Sequence, residues 1–255
     1  MLPDDLSPHV ADVVRRYDDT PSSVLVLGAH PDDAELGAGG TVARWSSGGS
    51  EVHLCVLTDG SKGSWDPTDD PADVAGRRRQ EQADAAIALR LTGEIHWGPW
   101  ADGELVADPA SVRWVCGLIR MVRPELVVGH DPWRRYRLHP DHRHGGLLAV
   151  DGVVAARDAH FHPDQDAPHR PEALLLFEAD EPDTVVPLDD DSAQRKIDAL
   201  LCHRSQWRST MGIDHGDDPA VSRWNDRVRD RLAAHAALLD SPEVRLGESF
   251  RWLAT

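Results

Sequence analysis

Between Val24 and Phe177 the chain alternates short, continuous apolar runs with longer segments whose apolar residues recur every three or four positions. The run Ser23 to Gly28 (SVLVLG) has no polar face, which predicts a strand buried on both sides. A helix is predicted from Glu35 to Trp45, with Leu36, Val42 and Trp45 available for packing. Glu51 to Thr58 (EVHLCVLT) predicts a second strand, closed by Asp59-Gly60, and a mobile Gly/Ser/Asp-rich loop is expected up to Pro71. Ala75 to Leu91 predicts a helix that packs through Ala83, Ile87 and Leu91. A third strand over Glu94 to Trp97, a helix over Val112 to Val122 and a fourth strand over Leu126 to Gly129 complete the pattern. Such alternation predicts an α/β fold, a mostly parallel sheet with helices on both faces. Ligands of these sheets gather at the carboxyl ends of the strands.

From about Ala179 the pattern weakens into an acidic stretch, Glu181 to Asp191, followed by helices over Ser192 to Trp207 and Trp224 to Leu239. No Gly/Ser or Pro-rich linker separates this region, so the 255 residues read as one domain, with about 179–255 forming a C-terminal lid or interface. A homo-oligomer is compatible with that reading. The formal charge of -17 argues against a nucleic-acid or anionic-membrane partner, both of which attract basic surfaces. No apolar run reaches the length of a membrane span, and the opening MLPDDLSPHV lacks the layout of a signal peptide, so a cytoplasmic location is expected. Cys55, Cys116 and Cys202 are widely spaced within apolar stretches and read as buried free thiols.

Two segments carry the chemistry. Gly28 to Glu35 (GAHPDDAE) sets one imidazole and three carboxylates immediately after the first strand. Leu138 to His144 (LHPDHRH) follows the fourth strand and spaces His139 and His142 three residues apart, so both project from similar faces at a helix start. A catalytic zinc takes three protein ligands and leaves a position for water. His30 and Asp33 supply two, and one imidazole of the second segment supplies the third while the other faces substrate. Trp65 and Trp133 fall in loops expected to border the site, where flat rings can stack on a sugar. His203 reads as a structural histidine and His144 as a surface one.

The chain resembles the LmbE-like, or GlcNAc-PI de-N-acetylase (PIG-L), family of zinc-dependent N-deacetylases. The resemblance rests on Ala29 to Glu35 (AHPDDAE), Thr58-Asp59-Gly60, Arg78 with Glu81, Asp102-Gly103, His139 to His142 (HPDH) and His203 to Gln206 (HRSQ), in the family's order. It implies a Rossmann-like three-layer sandwich with the metal at the C-terminal strand ends. It also implies that His30, Asp33 and His142 bind Zn2+, that Asp32 is the general base, and that His139 stabilises the oxyanion or protonates the leaving amine, oriented by Asp141. Arg78 and Asp102 resemble positions that hold sugar hydroxyls, and Glu35 one that orients the metal loop. Fe2+ fits the same ligands as Zn2+. Some family members carry a tyrosine two residues before the His-Pro-Asp-His segment; Arg137 stands there in this chain, with Tyr136 one place earlier.

The implied activity is removal of an acyl group, most simply acetyl, from an N-acetylglucosamine-type or related small molecule. An amidase acting on a larger natural product or thiol-sugar conjugate has the same site, and a catalytically retired binding protein has the same fold. A dinucleotide-binding protein fits poorly, because Gly-Ala-His-Pro-Asp-Asp replaces the G-x-G-x-x-G turn and its carboxylates repel a pyrophosphate.

Overall fold

The computed structural model describes residues 13–214 and 216–255; the opening decapeptide, on which the expected lack of a signal peptide rested, lies outside them. In chain order the elements are β1 (Arg15–Arg16), β2 (Ser23–Gly28), α1 (Asp33–Ser47), β3 (Glu51–Thr58), α2 (Pro71–Ala88), β4 (Ile95–Trp100), α3 (Pro109–Val122), β5 (Leu126–His130), α4 (Pro140–Arg157), β6 (Ala173–Phe177), β7 (Thr184–Leu188), α5 (Asp190–Cys202), α6 (Asp218–Ala236) and β8 (Leu246–Ala254). A short 3-10 turn, Arg204–Gln206, and a π-helical turn, Trp207–Met211, join α5 to α6. Aspartates start many of the helices: the side chains of Asp70, Asp108, Asp189 and Asp217 accept from backbone N–H groups in the first turns of α2, α3, α5 and α6. Part of the acidic excess is therefore structural.

The eight strands lie in the order β1-β7-β8-β6-β5-β2-β3-β4. All pairings are parallel except those of β8, which runs antiparallel between β6 and β7. The alternation in β2 shows why its run is wholly apolar. Val24 and Val26 join a core with α1, α2 and α5, whereas Leu25 and Leu27 join a second core with α3 and α4 on the other face. A third cluster packs α5, α6 and the π-helical turn. Chain order reverses between β5 and β2, which opens a crevice at their carboxyl ends, where the two His-Pro-Asp segments emerge.

Helix α1 lies close to the sheet because it is rich in glycine: a Cβ at Gly37 would lie 2.4 Å from the Phe177 ring. Its middle is tied to the last strand by a buried ion pair. Lys196 Nζ sits 2.5 Å from Glu248 Oε1 and donates to the Leu36 carbonyl at 2.8 Å, while the Glu248 carboxylate accepts from the N–H groups of Gly40 and Thr41.

Several expectations are corrected here. Ile87 is 76% exposed, while Leu91, just beyond the helix, packs on the core; the buried face of α2 combines Val74, Ala85 and Ala86 with Arg78, Glu81 and Gln82, whose polar groups bond to Pro31, Asp32, Glu35, Gly60 and Ser205. The expected helix to Trp207 ends at Cys202, and the acidic stretch contains a strand, β7. Strand β8 was not anticipated at all. Cys55 and Cys116 are buried, but Cys202 is only partly so.

Candidate active site

The loop between β2 and α1 is strained at one residue. Asp32, at the N-cap of α1, has φ 97°, a left-handed conformation that side chains other than glycine adopt at a cost. Gln82 on α2 holds it, accepting from Asp32 N–H at 3.2 Å and donating to Glu35 Oε1 at 2.6 Å. Arg78 is buried and donates to the carbonyls of Pro31 and Gly60, with Nη2 3.5 Å from Asp32 Oδ2; its neighbours Arg77 and Arg79 are exposed. The Asp59-Gly60 turn favours glycine at its second position, where φ is 65° and a Cβ would lie 2.9 Å from Pro31 Cδ and 2.7 Å from the Arg78 guanidinium. Glu81 accepts from Ser205 N–H and Oγ, which ties the late His203 to Gln206 segment to α2.

His30, Asp33 and His142 converge. His30 Nδ1 lies 3.2 Å from His142 Nε2 and 3.3 Å from Asp33 Oδ2, and His142 Nε2 lies 3.3 Å from Asp33 Oδ1. Ligands about 2.0–2.1 Å from a tetrahedral cation stand roughly 3.3 Å apart, so the three donors fit one metal ion. The tautomer of His30 fits as well. Its Nε2 faces Asp141 Oδ2 at 3.1 Å and Asp102 Oδ1 at 3.3 Å, so in the neutral ring Nε2 carries the proton and Nδ1 presents a lone pair. Asp33 Oδ2 accepts from His30 N–H at 2.8 Å and faces His130 Nε2 at 3.2 Å, which leaves Oδ1 toward His142. The described residues contain further potential metal groups, His30 with His139 and His142, Asp33 with His130 and His142, and His30 with Asp102 and Asp141.

Electrostatics follow from this crowding. Burial opposes charge on His30, but Asp102, Asp141 and Asp33 outweigh it and raise its pKa. Burial pushes Asp32 up to about 6, with the Arg78 guanidinium pulling the other way. Burial likewise lowers His130 to about 4 and lowers His139.

His139 lies at the N-cap of α4, where its Nδ1 accepts from Asp141 N–H at 3.2 Å; the neutral ring therefore carries its proton at Nε2. The expected orienting role of Asp141 takes a different form here. Its backbone N–H donates to the capping His139 Nδ1, while its carboxylate faces His30 and accepts from Gly103 N–H at 2.6 Å. A cavity of 490 Å³ opens over the cluster, lined among others by Asp32, Arg78, Asp102, His139, Lys62 and Gln206. Trp65 and Trp133 are exposed and border other cavities, so neither lines this one. Tyr136 is 88% exposed, and Arg137 lies beneath the site, bonded to Glu178 and donating to His130 Nδ1 at 2.9 Å. Sequence reasoning missed His130, whose one signal was its place as the last residue of a strand. His203 is fully buried with Nε2 3.7 Å from Glu35 Oε2, and His144 accepts from Ala107 N–H.

The PIG-L family profile, GlcNAc-PI de-N-acetylase, matches residues 25–153. Diacetylchitobiose deacetylase of Thermococcus kodakarensis is 34% identical over 188 residues, covering 72% of this chain and 70% of its own. The chain belongs to the PIG-L family. A second PIG-L relative, the 1D-myo-inositol 2-acetamido-2-deoxy-alpha-D-glucopyranoside deacetylase of Mycobacterium tuberculosis, is 28% identical, covering 72% of this chain and 80% of its own. The fold matches N,N'-diacetylchitobiose deacetylase from Pyrococcus horikoshii, solved with its inhibitor MPG, at a TM-score of 0.79 and 28% identity, over 92% of this chain and 84% of that one. The PIG-L match includes His30, Asp33, His130 and His142; Gln206 and Thr210, which line the cavity, lie beyond it.

Proposed function

We propose that the protein is a metal-dependent N-deacetylase that hydrolyses the acetamido group of an N-acetylglucosamine-type sugar. The observation that carries this reading is the triangle of His30, Asp33 and His142 with Asp32 beside it, buried at the cavity wall but outside the triangle. The two imidazoles and one carboxylate suit Zn2+, and Fe2+ is accepted by the same set. When bound, such an ion is a Lewis acid that polarises the acyl oxygen and acidifies water.

Asp32 is the general base, taking a proton from the water that attacks the amide carbon. The Gln82 and Arg78 contacts fix its position. His139 lines the same cavity, its Nε2–H available to the oxygen of the scissile amide as negative charge develops there, and the proton that Asp32 has taken from water passes to the departing amine. Collapse of the tetrahedral adduct breaks the C–N bond and releases a carboxylate and a protonated amine. Asp102 and Arg78 lie where sugar hydroxyls can reach their polar atoms. The C-terminal segment contributes a partial lid, through Gln206 and Thr210.

The test is elemental analysis paired with amine release from N-acetylglucosamine and diacetylchitobiose, before and after chelation. One zinc or iron per chain with chelator-sensitive release supports the proposal. A metal-loaded protein inert toward every N-acetylated sugar would refute it.

A further inference from the structure

A second cavity, of 470 Å³, adjoins the first, and the two share Leu36 and Thr210 in their walls. Their linings differ in charge. The catalytic cavity mixes the carboxylates of Asp32, Asp33 and Asp102 with Lys62, Arg78 and three imidazoles. The second presents Lys196, Arg208, Arg227 and Arg231 together with His235, and no carboxylate stands among its described lining residues. The chain has 44 acidic and 27 basic residues, so a cationic wall of this kind runs against its overall balance.

The wall is built by one face of α6. Trp224, Arg227, Val228, Arg231, Leu232 and His235 recur at three- and four-residue spacing, alternating apolar surface with positive charge. Much of that charge stays available. Lys196 is neutralised by Glu248, but Arg227 donates to the uncharged Met211 carbonyl at 2.7 Å and lies 5.3 Å from the Trp224 ring centroid. Arg231 reaches Glu178 at 3.5 Å and Arg208 reaches Asp214 at 3.6 Å, through side chains 48% and 79% exposed, where screening weakens such pairs. Thr210, shared by the two walls, belongs to the π-helical turn Trp207–Met211, a rare backbone form that is frequent at functional positions.

We propose that this second cavity is the subsite for the part of the substrate beyond the N-acylated ring, and that it takes an apolar group bearing an anion. The proposal rests on the deacetylase reading. Trp224, Val228 and Leu232 supply apolar surface, and Arg227 and Arg231 supply the charge that selects a carboxylate, phosphate or sulfate.

The test uses the metal-loaded protein and three aryl N-acetylglucosaminides in both anomers, phenyl, para-carboxyphenyl and para-(aminomethyl)phenyl. The carboxyphenyl substrate is expected to exceed the phenyl one in kcat/KM by roughly tenfold, the factor that about 1.4 kcal/mol provides, with the cationic substrate poorest. Substituting Arg227→Gln and Arg231→Gln together should collapse that ratio toward one. Calorimetry with para-carboxyphenyl glucoside, which lacks the amide, should show binding that weakens by a similar factor in the double variant. Equal kcat/KM for the three substrates, or a ratio that survives both substitutions, overturns the subsite, while turnover of free N-acetylglucosamine would still support the deacetylase. If no N-acetylated sugar is turned over, the deacetylase reading fails, and the calorimetric comparison still decides the subsite.

Discussion

His30-Pro31-Asp32 and His139-Pro140-Asp141 bring the same three residues to one crevice, and a third copy, His162-Pro163-Asp164, lies between α4 and β6, away from it. The copies differ in where the helix begins. Pro140 is the first residue of α4, so His139 caps the helix and Asp141 turns inward, fully buried, onto His30. Pro31 lies two residues before α1, so Asp32 takes the cap in a left-handed conformation and His30 is free to join the cluster. The third copy starts no helix. Its histidine carbonyl accepts from Arg120, a buried guanidinium that also donates to the carbonyls of Ala155, Ala156, Asp158, Phe161 and Asp166, and its aspartate pairs with Arg113 at the surface. The tripeptide alone therefore specifies no chemistry; the strand end and the register of the next helix decide it.

Substitutions of the aspartates test that contrast directly. Asp33→Ala should abolish both metal binding and deacetylation, measured by elemental analysis and amine release. Asp32→Asn should keep one metal per chain while kcat falls by roughly 10²–10⁴-fold, the usual range for loss of a general base. If Asp32→Asn emerged metal-free, the division of roles between the two neighbours would be wrong. Asp141→Asn should weaken metal affinity by about 10–100-fold, because its carboxylate orients a ligand imidazole, and competition with a chelator reads this out. Asp164→Ala should leave metal content and kcat/KM at wild-type values; a loss of either would break the distinction between the copies.

The sequence foreshadowed some parts of this molecule and not others, for physical reasons. β2, β3 and β5 are largely buried on both faces, and a strand of that kind leaves a nearly continuous apolar run in the sequence. β8 reads LGESFRWLA, and its buried Glu248 disguises it as surface, because the partner that makes the burial tolerable, Lys196, is fifty-two positions away. In α2 the spacing of Ala83, Ile87 and Leu91 placed Ile87 inward, although only Leu91 packs on the core, because half of the true inner face is the polar set Arg78, Glu81 and Gln82. The convergence of His30, Asp33 and His142 was anticipated from motif resemblance. The carboxylate of Asp141 turning to His30, the placement of His130 and the exposure of Trp65 and Trp133 depend on helix register and loop path, which local pattern does not record.

The Lys196–Glu248 pair bears on how the molecule can be divided. Residues 25–153 contain the three proposed metal ligands, Asp32 and His139, which suggests a minimal catalytic fragment. Yet the helix that begins with Asp33 has its midpoint clamped by side chains from α5 and the last strand, through Gly40, Thr41 and the Leu36 carbonyl. Trimming the C-terminus would cut that clamp and release the helix that Asp32, the proposed base, caps, so deletion, circular permutation or fusion at this end acts at a distance on the His30 to Asp33 loop. Anyone re-engineering the protein inherits that constraint: the chemistry is encoded early in the chain and secured late.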